Sequence, residues 1–213
     1  MVNLVLLLFS HIVNSHAAIT MRTYCTHCHF PQSTCLCDDI SIIDSPLSVI
    51  VLQHKKESSH AKNTVRLVKL AIPTTQVYVG KAAEDFVSVK DNVLAGQCGV
   101  VYPSAQSTPL ENFSQGGVGR PLSQLIFIDG SWRQAYAIWQ ANRWLHSLPQ
   151  FHLNNAPESH YIIRHVNLDH SLSTLEAVSH AVACVAGIDT SPLLQLQSAF
   201  QARWRSPQQH RRK

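Results

Sequence analysis

Short apolar runs alternate with amphipathic helical segments along most of the chain. The run at residues 47–54 (LSVIVLQH) is rich in Val, Ile and Leu and has the length of a buried strand. Similar runs occupy residues 75–80, 98–102 and 124–128, and a helical pattern at residues 63–73 follows the first. This alternation predicts an α/β fold, with a largely parallel sheet flanked by helices.

The second half of the chain continues the pattern. Ser173 and Glu176 have the S-x-x-E spacing of a capping box, in which each side chain accepts a hydrogen bond from the other residue's backbone amide. A helix is therefore predicted to begin there. The other predicted elements are helices at residues 132–148 and 192–204, a strand at 161–166 and a loop at 104–121.

The composition is that of a packed, globular chain. Of 213 residues, 45% are apolar and 14% charged, which excludes extended disorder and is sufficient for one core. The apolar run at residues 5–9 is far shorter than the roughly 20 residues of a membrane span, so no membrane partner is expected. Residues 1–20 are interpreted as a leader or as an extension upstream of a start at Met21. Because no Lys or Arg precedes Arg22, a signal peptide is disfavoured, and a cytoplasmic location is predicted.

Four of the six cysteines fall within 13 residues near the N-terminus. Cys25, Cys28, Cys35 and Cys37 follow a C-x2-C-x6-C-x-C pattern, and four thiolates at this spacing can surround a Zn²⁺ ion tetrahedrally, with His27 and His29 as possible substitutes. Because the protein would supply all four ligands, the predicted zinc is structural. Two disulfides are the alternative, and they would require that the leader exports the protein.

Polar residues follow two of the predicted strands. Asp129 ends the strand at residues 124–128, and Tyr102, Pro103 and Ser104 end another. In parallel α/β sheets ligands bind beyond the carboxyl ends of the strands, so Asp129 is a candidate catalytic residue. The alternative is that Asp129 and the following serine are only turn and helix-capping residues.

Basic and polar residues are predicted on the same side of the sheet. They follow the first strand and open the next helix, where they could contact phosphate, and Trp132 or Tyr136 could stack on a base. The net charge of +4 and a C-terminal tail rich in arginine, from Arg203 to Lys213, also suit a phosphate-rich partner. Ordinary solvated surface and a frayed terminus are the alternatives.

Five segments, in order, resemble the DTW-domain family, the tRNA-uridine aminocarboxypropyltransferases. They are the cysteine cluster with Pro31, HKKESSHAKNTVRLVKLAI from His54, VYPS from Val101, DGSW from Asp129, and SLSTLEAV from Ser171 preceded by Tyr161-x2-Arg164. The resemblance covers about residues 24–188. Two departures occur: Ser131 replaces the Thr of the Asp-Thr-Trp pattern, and Lys55 stands where the family commonly has Pro.

The resemblance implies a fold related to the SPOUT class with a C-terminal knot. It implies S-adenosylmethionine as donor and tRNA as partner: N3 of a uridine attacks the methylene carbon next to the sulfonium, and methylthioadenosine is released. Position 47 is the family expectation for bacterial members. Asp129 is the expected base or electrostatic group. The expected cofactor contacts are Tyr102, Pro103, Ser104, Gly130, Ser131, Trp132, Leu172, Ser173, Thr174 and Glu176. The expected RNA contacts are His54, Lys55, Asn63, Thr64, Arg66, Arg133 and Arg164.

The predicted organisation has four parts: a leader or extension at residues 1–20, a zinc knuckle at 21–45, the catalytic α/β domain at 46–190, and a C-terminal helix with its basic tail at 191–213. No protein partner is expected. Three alternative functions stay open: an RNA methyltransferase of the SPOUT class, a zinc-containing RNA-binding module without catalysis, and an exported disulfide protein.

Overall fold

The computed structural model describes residues 23–93, 97–113, 121–164 and 171–204. Over these residues the chain forms six strands and six α-helices, joined by loops and short 3₁₀ turns. The strands are β1 (Ser48–His54), β2 (Gln76–Gly80), β3 (Cys98–Val101), β4 (Thr108–Pro109), β5 (Gln124–Asp129) and β6 (Gln150–His152). The helices are α1 (Lys55–Ser58), α2 (Val65–Ala71), α3 (Val87–Asn92), α4 (Trp132–Ala141), α5 (Thr174–Ala186) and α6 (Ser191–Ala202).

The six strands form one sheet in the order β2-β1-β5-β3-β6-β4, and every neighbouring pair is parallel. The predicted α/β fold with a parallel sheet is therefore confirmed. β1 and β5 lie beside each other at the centre, with Gln53 of β1 opposite Asp129 of β5. The predicted relation to the SPOUT class and its C-terminal knot stay predictions.

Both faces of the sheet are covered, which explains why its central strands are almost entirely apolar. In β1, Val49 and Val51 belong to one hydrophobic cluster, which includes side chains of α2, α5, α6 and the cysteine segment. Ile50 and Leu52 belong to a second cluster, which includes side chains of α3 and α4. Because successive side chains of a strand point to opposite faces, these clusters are the two layers of a doubly covered sheet.

The predicted helix at residues 132–148 is wrong in its second half. Helix α4 ends at Ala141, and a 3₁₀ turn (Arg143–Ser147) follows. Asn142 has φ −112° and ψ 65°, and its buried side-chain amide donates hydrogen bonds to the carbonyls of Ile138 and Lys81. The carboxamide thus ties the end of α4 to the chain after β2, and the helix stops there.

Two other predicted elements differ from the structure. The predicted loop at residues 104–121 contains β4 and a 3₁₀ turn (Leu110–Phe113), and residues 114–120 lie outside the described part. The predicted strand at residues 161–166 is not formed over residues 161–164; the last two lie outside the described residues. β6 was not predicted, because a strand of three residues leaves no periodic pattern.

None of the described helices has the length and apolar character needed to span a membrane. The predicted leader at residues 1–20 and the tail beyond Trp204 lie outside the described residues. The predicted boundaries between the zinc knuckle, the α/β domain and the C-terminal part stay predictions.

Candidate active site

The carboxyl ends of β1, β3, β5 and β6 lie at one edge of the sheet, next to a cavity of about 550 Å³. This volume is in the range of pockets that hold a small molecule. Predicted site residues that line it are Asn63, Thr64, Tyr102, Pro103, Asp129, Gly130, Ser131, Trp132, Arg164, Leu172, Ser173 and Thr174. Residues separated by more than 100 positions in the sequence thus share one site.

Asp129, the last residue of β5, lies in the wall of this cavity and is only 8% exposed. Its Oδ2 accepts a hydrogen bond of 2.9 Å from Nε2 of Gln53, and its Oδ1 accepts one from the hydroxyl of Thr174. Burial raises the pKa of Asp129, although these two hydrogen bonds act in the opposite direction. No ion pair among the described residues includes Asp129. A buried carboxylate in this setting favours a cationic or proton-donating ligand.

The residues after Asp129 connect β5 to α4. Gly130, Ser131 and Trp132 line the cavity, and the backbone amide of Ser131 donates a hydrogen bond of 2.7 Å to Oε1 of Gln134. The side chain of Trp132 is 47% exposed, which is high for a tryptophan. The start of α4 therefore presents an accessible indole to the cavity, whereas the amide of Ser131 is already bonded within the protein.

The residues that lead into α5, together with its first residue, line another part of the cavity. Leu172, Ser173 and Thr174 line the cavity, and the predicted capping box is confirmed: Ser173 Oγ accepts from the amide of Glu176 at 3.2 Å, and Glu176 Oε2 accepts from the amide of Ser173 at 2.7 Å. Glu176 itself is buried and does not line the cavity. Its other hydrogen-bond donors are Ser159 Oγ, the amide of His160 and Gln197 Nε2. Glu176 is thus a structural residue at the start of α5.

Tyr102 and Pro103 supply a third wall, beyond the end of β3. The ring of Tyr102 stacks on Trp139 with centroids 4.7 Å apart, and Trp139 stacks on His146 at 4.2 Å. Burial raises the pKa of the Tyr102 hydroxyl. The stack fixes the Tyr102 ring in place. Ser104 lies outside the cavity wall, and its hydroxyl donates to Oε1 of Gln150.

The predicted RNA contacts are divided between the cavity and its surroundings. Asn63 and Thr64 line it, but both are buried and make structural hydrogen bonds: Asn63 Oδ1 accepts from the amide of Val65 at 2.9 Å, and Thr64 Oγ1 accepts from the amide of Leu175 at 3.4 Å. Asn63 therefore caps the start of α2, whereas Thr64 joins the starts of α2 and α5.

Four predicted RNA contacts do not line the cavity: His54, Lys55, Arg66 and Arg133. His54 is buried at the end of β1; its Nδ1 accepts from the amide of Lys56, and burial lowers its pKa. Lys55 is exposed and lies 3.4 Å from Oδ1 of Asp85. Arg133 is exposed in the first turn of α4. His54, Lys55 and Arg133 follow the carboxyl ends of β1 and β5, the edge of the sheet at which Asp129 lies.

Several residues of the cavity wall were not among the site residues predicted from the sequence: Glu57, Lys62, His152, Ser159 and Tyr161. Nη1 and Nη2 of Arg164 each donate a hydrogen bond of 2.8 Å to one carboxylate oxygen of Glu57. Burial acts to raise the pKa of Glu57, but the pairing with Arg164 outweighs it and the pKa is lowered. In the sequence, the one sign of this ion pair is that an acidic residue, Glu57, ends the otherwise basic segment HKKE.

The predicted metal ligands do come together. The Sγ atoms of Cys25, Cys28, Cys35 and Cys37 all lie within 4.8 Å of one another, and this cluster could hold a metal ion. Cys25 and Cys37 Sγ are 3.5 Å apart, and Cys28 and Cys35 Sγ are 3.7 Å apart. A tetrahedral zinc site with Zn–S bonds of about 2.3 Å requires edges of about 3.8 Å. The two Sγ distances are close to this value, and none of the four cysteines forms a disulfide, so the cluster fits zinc.

Arg66 joins this cysteine cluster to the α/β core. Its Nη2 donates a hydrogen bond of 2.8 Å to the carbonyl of His29, and its guanidinium lies 4.1 Å from the centre of the Phe30 ring. Phe30 in turn packs against Phe200 of α6, with ring centroids 5.5 Å apart. In the structure Arg66 therefore joins the cysteine cluster to α2, and its predicted RNA contact stays a prediction.

Comparison with known proteins gives consistent matches. The family model described as the DTW domain matches residues 22–205. Proteins called tRNA-uridine aminocarboxypropyltransferase 2 are similar: the one from Mus musculus is 32% identical over 76% of this chain, and the one from Macaca fascicularis is 30% identical over the same share. The one from Drosophila melanogaster is 32% identical over 81% of this chain.

The chain spans little more than half the length of the two mammalian relatives, 56% of each, and 69% of the Drosophila protein. No solved structure matches it.

Proposed function

Because this chain belongs to the DTW-domain family, we propose that it transfers the 3-amino-3-carboxypropyl group of S-adenosylmethionine to N3 of a uridine in tRNA and releases methylthioadenosine. The names of its relatives, tRNA-uridine aminocarboxypropyltransferase 2, support the reaction and the tRNA substrate. The observation that carries the proposal is Asp129, a buried carboxylate in the wall of a cavity of ligand size, with no cationic partner in an ion pair of the described residues.

The residues of the cavity fit this donor. A sulfonium and an ammonium are cations that a buried carboxylate would stabilise, and the ring of Tyr102 offers an apolar surface to adenine. When bound, the donor supplies an electrophilic methylene carbon, and its C–S bond breaks with the electron pair going to sulfur.

Asp129 has the central role in the proposed mechanism. Uridine N3 is a weak nucleophile while it is protonated, so a base must take its proton as the N–C bond forms. The raised pKa of Asp129 suits that role, because a base acts best when its pKa is not far below the working pH. Gln53 and Thr174 hold the two oxygens of the carboxylate and so set its direction. Asp129 would also stabilise the sulfonium electrostatically.

Two further assignments belong to this proposal. Zn²⁺ would occupy the four-cysteine cluster as a structural ion, because the protein supplies every ligand and leaves no open position. The exposed Lys55, Lys56 and Arg133 beside the cavity would contact the RNA backbone, in the compartment where tRNA is modified, which we expect to be the cytoplasm.

The test is to incubate the purified protein with S-adenosylmethionine and unmodified tRNA, and to analyse the digested nucleosides and the spent donor by mass spectrometry. We expect aminocarboxypropyluridine and methylthioadenosine, and RNA fragment mapping would show whether position 47 carries the group. A methylated nucleoside with S-adenosylhomocysteine would instead assign the protein to the methyltransferases. If no product forms on any tRNA while the protein binds tRNA, the proposal fails in favour of an RNA-binding module.

A further inference from the structure

The pair Glu57–Arg164 is the one ion pair of the described residues with both members in the cavity wall. Glu57 is 5% exposed in its side chain and Arg164 is 31% exposed. Glu57 follows β1, whereas Arg164 precedes α5, so the pair joins two segments that are 107 positions apart in the sequence. A bidentate pair of this kind fixes the plane of the guanidinium.

Glu57 accepts hydrogen bonds from only some of the N–H groups of Arg164. A guanidinium has five N–H groups, and two of them bond to the carboxylate of Glu57. Within the described residues, no other acceptor bonds to the guanidinium of Arg164. The remaining donors belong to a half-buried side chain inside the cavity, where an unmet donor is unfavourable. They suit an anionic, planar ligand group.

The other lysine or arginine in the described cavity wall is Lys62. Its Nζ donates to the carbonyl of Ile163 and lies 5.4 Å from the centre of the Trp204 ring. The ammonium group of Lys62 therefore already has partners within the protein. Arg164 also has a Coulombic effect on Asp129, lowering its pKa, so the two groups are within electrostatic range of each other.

We propose that Arg164 binds the α-carboxylate of the donor's amino acid end, and that Glu57 is the positioning residue that fixes its guanidinium for this contact. The inference rests on the proposed function. The group to be transferred carries a carboxylate and an ammonium, and a cavity that excludes water must offer a partner to each. Arg164 supplies the forked partner for the carboxylate. This replaces the RNA contact that the sequence suggested for Arg164.

Isothermal titration of the full chain without tRNA tests the proposal. The two probes are S-adenosylmethionine and its decarboxylated analogue, which lacks only the carboxylate. Wild type should bind the first more tightly by roughly ten- to hundredfold. Arg164→Lys keeps the charge but loses the fork, so its preference for the carboxylate should largely disappear; Glu57→Gln should reduce that preference less.

The double variant Glu57→Gln/Arg164→Gln removes both charges and leaves neither one buried alone, and it should bind both probes equally. Arg203→Lys is a matched control, because Arg203 is also 31% exposed and pairs with Asp39 outside the cavity; it should keep the preference. Thermal unfolding of each variant would check that it is folded.

Two results would overturn the inference and leave the proposed function standing. One is a wild type that binds both probes equally. The other is an Arg164→Lys variant that keeps the wild-type preference but loses affinity for tRNA, which would restore the RNA contact. If wild type binds neither probe, the inference and the proposed donor are both refuted.

Discussion

Removal of the metal from the cysteine cluster should destabilise the whole protein. The segment around Cys25 and Cys37 contains no α-helix, and its regular structure consists of short 3₁₀ turns and one bridge between Tyr24 and Pro31. Its backbone hydrogen bonds join residues that are close along the chain, such as Cys25 to Phe30 and Gln32 to Thr23, so a bound ion would be the main constraint on its conformation. Phe30 (4% exposed) and Leu36 (0% exposed) from this segment belong to the main hydrophobic cluster.

The size of this destabilisation can be worked out from the burial of Phe30 and Leu36. Burial of each stabilises the fold by about 1.5–3 kcal/mol, so losing both costs about 3–6 kcal/mol. Domains are stable by only about 5–15 kcal/mol, so this is a large fraction of the total. At about 2–4 °C per kcal/mol for a chain of this size, the melting temperature should fall by roughly 6–24 °C.

The assay is thermal unfolding of the purified protein with and without a strong chelator, together with elemental analysis of the bound metal. We expect one zinc per chain, and Cys28→Ser should reproduce the effect of the chelator. Cys184→Ser is the matched control, since Cys184 is a free thiol outside the cluster. A metal-free protein with the same melting temperature would refute the reasoning, and intact masses showing two disulfides would favour the exported alternative.

Three further predictions concern single carboxylates. Asp129→Asn keeps the shape of the side chain but cannot take a proton, so kcat for aminocarboxypropyl transfer should fall by roughly 10²- to 10⁴-fold with an unchanged circular dichroism spectrum; a fall below tenfold would leave Asp129 without the role of base. Because burial raises the folded-state pKa of Asp129, its contribution to stability is full below the ordinary aspartate pKa and is lost as pH rises through the raised value. The melting temperature of Asp129→Asn minus that of wild type should therefore increase as pH rises above the ordinary aspartate pKa of about 4, and a difference that stays constant with pH would contradict this. Glu176→Ala leaves the amides of Ser173 and His160 and the side chain of Gln197 without their acceptor, so chemical denaturation should show a loss of about 2–4 kcal/mol, whereas Glu158→Ala at an exposed position should change little.

Local patterns in the sequence predicted much of the fold. The apolar runs of β1 and β5 are buried on both faces, and short continuous runs of Val, Ile and Leu are characteristic of that environment. Ser173 and Glu176 are three residues apart, and their capping box depends only on that spacing. The four cysteines also lie within one short segment, so the sequence alone predicted that their Sγ atoms would lie close together.

The contacts within the cavity depend on the tertiary structure. Gln53 lies beside Asp129 only because β1 and β5 are neighbours in that register, and Thr174 reaches the same carboxylate from the start of α5. Nothing in the sequence around Asn142 indicated that its side chain would end α4 by bonding to the carbonyl of Lys81. Such contacts join distant parts of the chain.

The sequence by itself thus determined the alternation of elements, the cysteine cluster, and the choice of Asp129 as the candidate catalytic residue, because each depends on residues that are close along the chain. The tertiary structure decided what surrounds that carboxylate. In the tertiary structure Glu57 pairs with Arg164, and Arg66 bonds to the cysteine segment and does not line the cavity. Strand order and helix packing bring these groups together, and they are set by burial of the whole core.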